Sequence, residues 1–540
     1  MTDQSAAQGL LDFVRACPSM FHTAAAISRR LDEAGFTYLP EGEAWRMEPG
    51  GCYYTSRNNS SVIALKVGAD LDSYHFQLAA AHGDSPCFKV KAVPELAGPG
   101  EYLRLDVEAY GGMIDHTWLD RPLGVAGRAL VREGDRVESR LFATDRDVAI
   151  IPSVAIHLNR EGGRNPELNR AVDLCALFSA GDLGEGAFDQ MVADELGVEP
   201  GQVLARDAFL CNRQEPVAWG GAAGAPEFVS APKLDDLGCA YVALEAFLSA
   251  ENPHDVGVYA CFDNEEVGSN TKQGAMSTFL HDVLARANAA LGRTPEDYLR
   301  AVAGSLLVSC DNAHACHPNH AEKHDEANRC WLNRGLVIKE AANQHYCTDA
   351  FSRAALVAVL QDAGVPFQTF ANRSDMAGGG TLGNLSNTQV SLHGVDVGLP
   401  QLPCTPASRP PAPATSASAS PPSRPSMPAT CASPARTPSP WRERVDKGTV
   451  PLSTFPPPRP LRRREARPYP GSRGRCATVQ TTIRLVRPFG AVLHGGDGPF
   501  SITCPHGLRR PRVTGPGTPG RGPSCTCKSS LSNGRFAPCP

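Results

Sequence analysis

The 540-residue sequence predicts an α/β protein whose main sheet is interrupted by a β-rich insertion and followed by a disordered, Pro- and Arg-rich tail. Three observations carry this reading. Short apolar runs stop at acidic residues or a histidine and alternate with helix-like stretches. Between about 93 and 224 the runs are short and broken by Gly and Pro, and after residue 402 the composition changes abruptly.

The first run, Gln77-Leu78-Ala79-Ala80-Ala81, ends in His82-Gly83-Asp84-Ser85-Pro86. In the insertion, Glu101 to Glu108, Val125 to Arg132 and Asp147 to Ile151 read as strands. Asp235, in Pro232-Lys233-Leu234-Asp235-Asp236-Leu237, opens an amphipathic run from Gly238 to Phe247, where a helix cap is the ordinary explanation. Val256 to Phe262 is aromatic and β-branched enough for a buried strand, and a helix-like stretch from Gln273 to Leu291 follows it. Between them lies Asp263-Asn264-Glu265-Glu266-Val267. Ser305 to Cys310 is a further run, and it ends in Asp311. In open α/β sheets ligands bind at the carboxyl ends of strands. Alone, each acid has an ordinary account as an exposed turn. Together a histidine, three carboxylates and a spare glutamate form the donor set of a hydrolytic two-metal centre, with a bridge, outer ligands and a base.

Seven blocks follow one another along the chain. They are His82-Gly83-Asp84-Ser85-Pro86-Cys87, Tyr110-Gly111-Gly112 with Trp118-Leu119-Asp120-Arg121, Ile156-His157-Leu158-Asn159-Arg160, Lys233 to Leu237, Asp263 to Ser269, Ala313 to Asn319 and Ser374-Asp375-Met376-Ala377-Gly378-Gly379. In this order they resemble the signature blocks of the aspartyl aminopeptidase family of zinc metallopeptidases, over residues 1 to about 402. The resemblance implies a dinuclear-zinc aminopeptidase-like catalytic domain that removes amino-terminal residues, Asp and Glu foremost, from peptide substrates. It implies that His82, Asp235 and Asp311 hold one zinc, that Asp235 bridges to a second, and that Glu266 is a ligand of that second ion. Glu265 is then the general base, and Asp84 orients His82. Lys339 and His157 match family positions near the substrate.

The domain organisation expected is a catalytic domain in two parts, 1–92 and 225–402, with residues 93–224 inserted as a β-rich module. In the family such an insertion mediates assembly into homo-oligomers. No stretch is long and apolar enough for a membrane span and no leader-like segment opens the sequence, so a cytoplasmic protein is expected. The eleven cysteines before residue 403 include no Cys-x-x-Cys pair.

After Gly398-Leu399-Pro400-Gln401-Leu402 the family pattern requires Met-His-Ser, whose histidine is the last ligand of the second zinc. This chain reads Pro403-Cys404-Thr405-Pro406. The codons CTG CCA TGC ACT CCN encode Leu402 to Pro406 and contain ATG CAC TCC, Met-His-Ser, in another frame. Residues 404–540 hold 27 of the 46 prolines and 21 of the 52 Lys and Arg, but 4 of the 57 acids, so this part carries +17 and the remainder −22. That mixture cannot bury enough apolar surface to order itself. Its arginines are dispersed among prolines, whereas nucleic-acid arms carry clustered charge, so a frameshifted reading is favoured. His393 lies nine residues before Leu402, where a strand would not aim it at the site. Of His314, His317, His320 and His324, interrupted by Pro318 and Asn319, one or two at most are expected to face the site, and Gly378-Gly379-Gly380-Thr381-Leu382-Gly383 is expected to be a turn lining the substrate pocket. Two alternatives stand beside the aminopeptidase reading: a dinuclear deacylase or carboxypeptidase of the same fold, and a metal-binding assembly protein impaired by the lost histidine.

Overall fold

The apolar runs of the two outer segments pair into one nine-stranded sheet. Its order is Thr37–Tyr38, Cys52–Arg57, Ser61–Val67, Val256–Phe262, Phe76–His82, Leu306–Cys310, His393–Gly398, Leu336–Glu340 and Phe367–Ala371. The computed structural model describes residues 3–160, 167–222, 226–402 and 450–451, and the rest of the expected tail lies outside the described residues.

Four central strands are parallel, with Phe76–His82 flanked by Val256–Phe262 and Leu306–Cys310, the latter beside His393–Gly398. Parallel strands covered on both faces read as continuous apolar runs, and six of the seven residues of Val256–Phe262 are buried. Phe262 pairs with His82, and Ser309 pairs with Ala80. Continued two residues, the second register brings Asp311 level with His82. The residues that leave these three strands therefore meet at one edge, where neighbours on either side of a central strand open a crevice.

One face of the sheet is covered by helices Asp3–Ala16, Met20–Glu33, Leu234–Ser249 and Ala350–Asp362, which share a core containing Phe13, Ile27, Leu244 and Leu356. The other face carries Phe279–Ala290, Pro295–Ala303 and Leu382–Ser386. The helix read from Gln273 begins instead at Phe279. Gly274 is held against Ser269, where a Cβ would lie 2.3 Å from the carbonyl oxygen, and the Gln273 amide donates to Asn264 Oδ1 at 2.7 Å. Those contacts draw Gln273–Thr278 into turns that serve the neighbouring acidic segment.

The segment between the two outer parts builds a second sheet around its own core of Phe88, Leu105, Val125, Phe188 and Leu210. The strands read near 101–108, 125–132 and 147–151 form at Leu103–Tyr110, Pro122–Glu133 and Ala149–Ile150. Position 92/93 falls inside the strand Cys87–Ala97, so the chain changes sheets at the turn after His82. Val203–Asn212 pairs with both Cys87–Ala97 and Pro122–Glu133, closing the second sheet on itself. Val450–Pro451 adds to its free edge at Arg136–Val137, an edge that offers unpaired backbone groups.

Gly398 ends its strand where a Cβ would come 2.1 Å from the Asp311 carbonyl oxygen, a backbone atom that cannot move away alone. Gly398→Ala is therefore expected to destabilise the fold by about 1–3 kcal/mol or more. Urea denaturation followed by tryptophan fluorescence measures the loss.

Candidate metal centre

His82 is buried at the end of its strand, and three carboxylates face its Nε2. Asp235 Oδ1 lies at 3.6 Å, Glu265 Oε2 at 4.0 Å and Asp311 Oδ1 at 4.0 Å. Ligand atoms from His82, Asp235, Asp236 and Asp311 all fall within 4.8 Å of one another. Zinc–nitrogen and zinc–oxygen distances near 2.1 Å put neighbouring ligand atoms of a tetrahedral site about 3.4 Å apart. The His82, Asp235 and Asp311 atoms fit such an ion in both spacing and donor chemistry.

Each ligand type is held from behind. His82 Nδ1 sits 3.1 Å from the Asp84 carbonyl oxygen and 3.3 Å from Asp84 Oδ1, which fixes the ring and turns Nε2 toward the acids. The backbone N–H of His82 donates to Asp236 Oδ2 at 3.3 Å. Asp235 does not cap its helix, because its backbone leaves helical geometry there and Lys233 occupies the cap position. Its Oδ2 accepts instead from the Gln401 amide at 2.9 Å. Asn312 steadies that amide, donating to Gln401 Oε1 at 3.2 Å and to the Leu234 carbonyl at 2.7 Å. Lys339, only 2% exposed, donates to the Asp311 carbonyl at 2.8 Å, and its Nζ lies 3.5 Å from Asp311 Oδ2.

The two glutamates lie on a tight turn after Val256–Phe262, entered through Asn264 in the left-handed region and left through Gly268. Their backbone N–H groups donate to Asp84 Oδ1 and Oδ2, each at 3.2 Å. Asp84 thus serves the ring of His82 and the Glu265-Glu266 turn together.

Burial raises the pKa values of the crowded acids. It pushes Glu265 to about 7, with the charges of Asp311, Asp84 and Asp235 adding to the effect and His82 opposing it. Burial together with Asp235 and Asp84 holds Glu266 well above the ordinary value. Burial opposes charge on His82, but hydrogen bonds to Asp235 and Asp84 and the charges of Asp236 and Glu265 overcome it and raise its pKa. A divalent cation relieves this repulsion by pairing with the acids.

All five residues expected at the metals, His82, Asp235, Glu265, Glu266 and Asp311, come to this one edge, with Asp84 behind them. His157 does not. It lies in an exposed turn of the insertion, with no hydrogen bond or ion pair to the cluster among the described residues. His317, His320 and His324 gather on a surface loop, where the His317 N–H donates to His324 Nε2 at 3.1 Å. His393 starts its strand, at the opposite sheet edge from His82, with its ring 4.3 Å from that of Phe351. Asp236, Gln401, Asn312 and Tyr110 were not singled out as site residues from sequence. The signals available were the adjacency of Asp236 to Asp235 and the place of Tyr110 and Asp236 within the quoted blocks, whereas Gln401 and Asn312 lie outside those seven blocks.

An α/β sheet with a buried histidine–carboxylate cluster at its carboxyl edge defines a metallohydrolase. The family described as aminopeptidase I zinc metalloprotease (M18) matches residues 13–405, and the chain belongs to it. It is 40% identical over 407 residues to a probable M18 family aminopeptidase 2 of Clostridium novyi, covering 73% of this chain and 92% of that protein. Its fold matches the cryo-EM structure of the Ape4 and Nbr1 complex with a TM-score of 0.72 and 33% identity, covering 76% of this chain and 83% of that one. It also matches the S. cerevisiae mApe1 dodecamer with a TM-score of 0.66 and 26% identity, covering 75% and 92%. Among the described residues, no helix is long and apolar enough to cross a membrane.

Proposed function

We propose that this zinc metallo-aminopeptidase prefers acidic amino-terminal residues, and that its second metal position is incomplete in the chain as it stands. The observation that carries the reading is the convergence of His82, Asp235 and Asp311 beside Glu265. In it, His82, Asp235 and Asp311 would hold one zinc, and Asp235 and Glu266 would face a second. Zinc held there supplies Lewis-acid chemistry, polarising a carbonyl and acidifying water. Glu265, whose Oε2 lies 4.0 Å from His82 Nε2, takes a proton from the attacking water at its carboxylate and returns it to the leaving amine. Asp84 keeps the His82 ring and the Glu265 backbone in register while this happens.

A substrate carboxylate needs a cationic partner, and Lys339 is the cation that ion-pairs with the cluster. The same ammonium also holds Asp311, and a substrate series separates the two roles. The oligomer reading is supported by the dodecameric relative and by the insertion's exposed Val154, Ile156 and Leu158, at 57%, 54% and 83% exposure. His157 lies within that exposed run, so substrate contact by His157 requires a neighbouring copy. A cytoplasmic setting fits eleven free cysteines among the described residues. One observation favours the second reading, an impaired assembly protein: no histidine follows Leu402 in register, and only Asp235 and Glu266 remain for the second ion.

In a chain with the Met-His-Ser frame restored, Glu265→Gln is expected to lower turnover by about 10²–10⁴-fold with zinc content intact, whereas Glu266→Gln loses zinc as well. Turnover assays with elemental analysis check this, and equal zinc loss in both variants refutes the division of roles.

Lys339→Ala in the same restored chain is expected to penalise Asp- and Glu-p-nitroanilide by about 10-fold or more relative to the Leu and Ala substrates. A uniform loss of kcat/KM across the four shows that the lysine serves Asp311 alone.

The chain as written is expected to hold less zinc per subunit than one with a single base restored near codon 403, and to hydrolyse Asp-p-nitroanilide more slowly. A catalytic zinc ordinarily has three protein ligands, and the second position here has two. Side-by-side expression, zinc analysis and assay decide it, and equal values in the two proteins overturn the expectation.

A further inference from the structure

We infer that the Tyr110-Gly111 turn, which belongs to the second sheet, is a positioning device for the metal cluster, acting through Asp84 and Glu266. The inference rests on the reading that His82 and its neighbouring acids bind zinc. Tyr110 ends the strand Leu103–Tyr110, which pairs with Cys87–Ala97 and Ala176–Ser179 and carries none of the proposed ligands. Its hydroxyl donates to Asp84 Oδ2 at 2.7 Å and accepts from the Asn264 amide at 2.8 Å. Asn264 is the left-handed residue that opens the Glu265-Glu266 turn. One hydroxyl therefore ties together the carboxylate behind His82 and the turn that carries both glutamates.

Gly111 continues the contact. Its φ is +82°, and a Cβ there would lie 3.0 Å from Glu266 Cβ and 3.2 Å from the Glu266 carbonyl oxygen. The backbone of the insertion thus abuts the Glu266 side chain at a distance that only glycine permits without displacement. The Tyr110 ring is held separately, edge-on to Phe209 with centroids 5.7 Å apart at 81°. Packing needs the ring alone, while the hydroxyl is used as both donor and acceptor within the site.

Among the described residues, buried Asp84 would otherwise have the two backbone N–H groups, at 3.2 Å each, and the His82 ring to satisfy it. The Tyr110 bond is the shortest of the set, and hydrogen bonds to a charged acceptor are the strong ones. Removing it loosens the group that sets the ring orientation of His82, and it leaves the Asn264 amide without this acceptor.

The test uses the full chain and zinc alone. Tyr110→Phe keeps the ring against Phe209 and removes the hydroxyl, so the zinc dissociation constant, measured by chelator competition, is expected to rise about 10–100-fold while the melting temperature stays close to that of the parent. Gly111→Ala keeps the hydroxyl and presses on Glu266, so zinc stoichiometry is expected to fall, and this decides the matter if Tyr110→Phe does not fold. An unchanged zinc dissociation constant in Tyr110→Phe, with or without a lower melting temperature, reduces Tyr110 to a packing residue and overturns the inference. Failure of the parent chain to bind zinc overturns the site reading itself, and the inference with it. Since no peptide is involved, the outcome is independent of substrate preference.

Discussion

Seven carboxylates, those of Asp84, Asp235, Asp236, Asp263, Glu265, Glu266 and Asp311, converge at one sheet edge, and Asp84, Asp236 and Asp263 are buried outright. Like charges brought together out of water are costly unless donors or cations answer them. Much of the local architecture does this. Asp84 takes two backbone N–H groups and a tyrosine hydroxyl, Asp235 takes the Gln401 amide, and Asp311 faces the buried ammonium of Lys339. Each partner sits at or next to a strand end or in a tight turn. A bound divalent ion completes the compensation that His82 and Lys339 begin, and so folding around the metal and holding the metal are one problem.

The sheet register is what makes the convergence possible. Phe262 opposite His82 and Ser309 opposite Ala80 bring three chain segments, far apart in sequence, to the same level at the same edge. That much was legible beforehand, because a strand buried on both faces is a continuous apolar run and the residue that ends it is plain in the sequence. Val256–Phe262 followed by Asp263 to Glu266 is such a case. The acids with chemistry to do stand where the apolar run stops, and the pattern needs no tertiary information to be noticed.

What supports those acids was not legible, for a physical reason. The hydrogen bonds of Gln401, Asn312 and Tyr110 reach residues between 26 and 166 positions away, and no periodicity or local spacing encodes such partners. Asp236 illustrates the same limit. Beside Asp235 it reads as a second first-turn acid of a helix, yet its carboxylate accepts from the backbone of His82, 154 positions earlier. The helix read from Gln273 started late for a related cause, since the Gln273 side chain is spent on Asn264 and its backbone on turns.

The second sheet has a consequence for how the two parts of the chain depend on each other. Cys87–Ala97 leaves the ligand-bearing strand Phe76–His82 after a four-residue turn, and Leu103–Tyr110 returns beside it to the metal edge. The turn between the sheets contains Asp84, so any shift of the insertion moves the carboxylate on which both His82 and the glutamate turn depend. Arg128 adds a second clasp, donating to the Asn58 carbonyl at 2.7 Å with its guanidinium 4.3 Å from the centre of the Phe21 ring. The packing of one sheet and the metal cluster on the other need no long relay when a single buried carboxylate, Asp84, belongs to both.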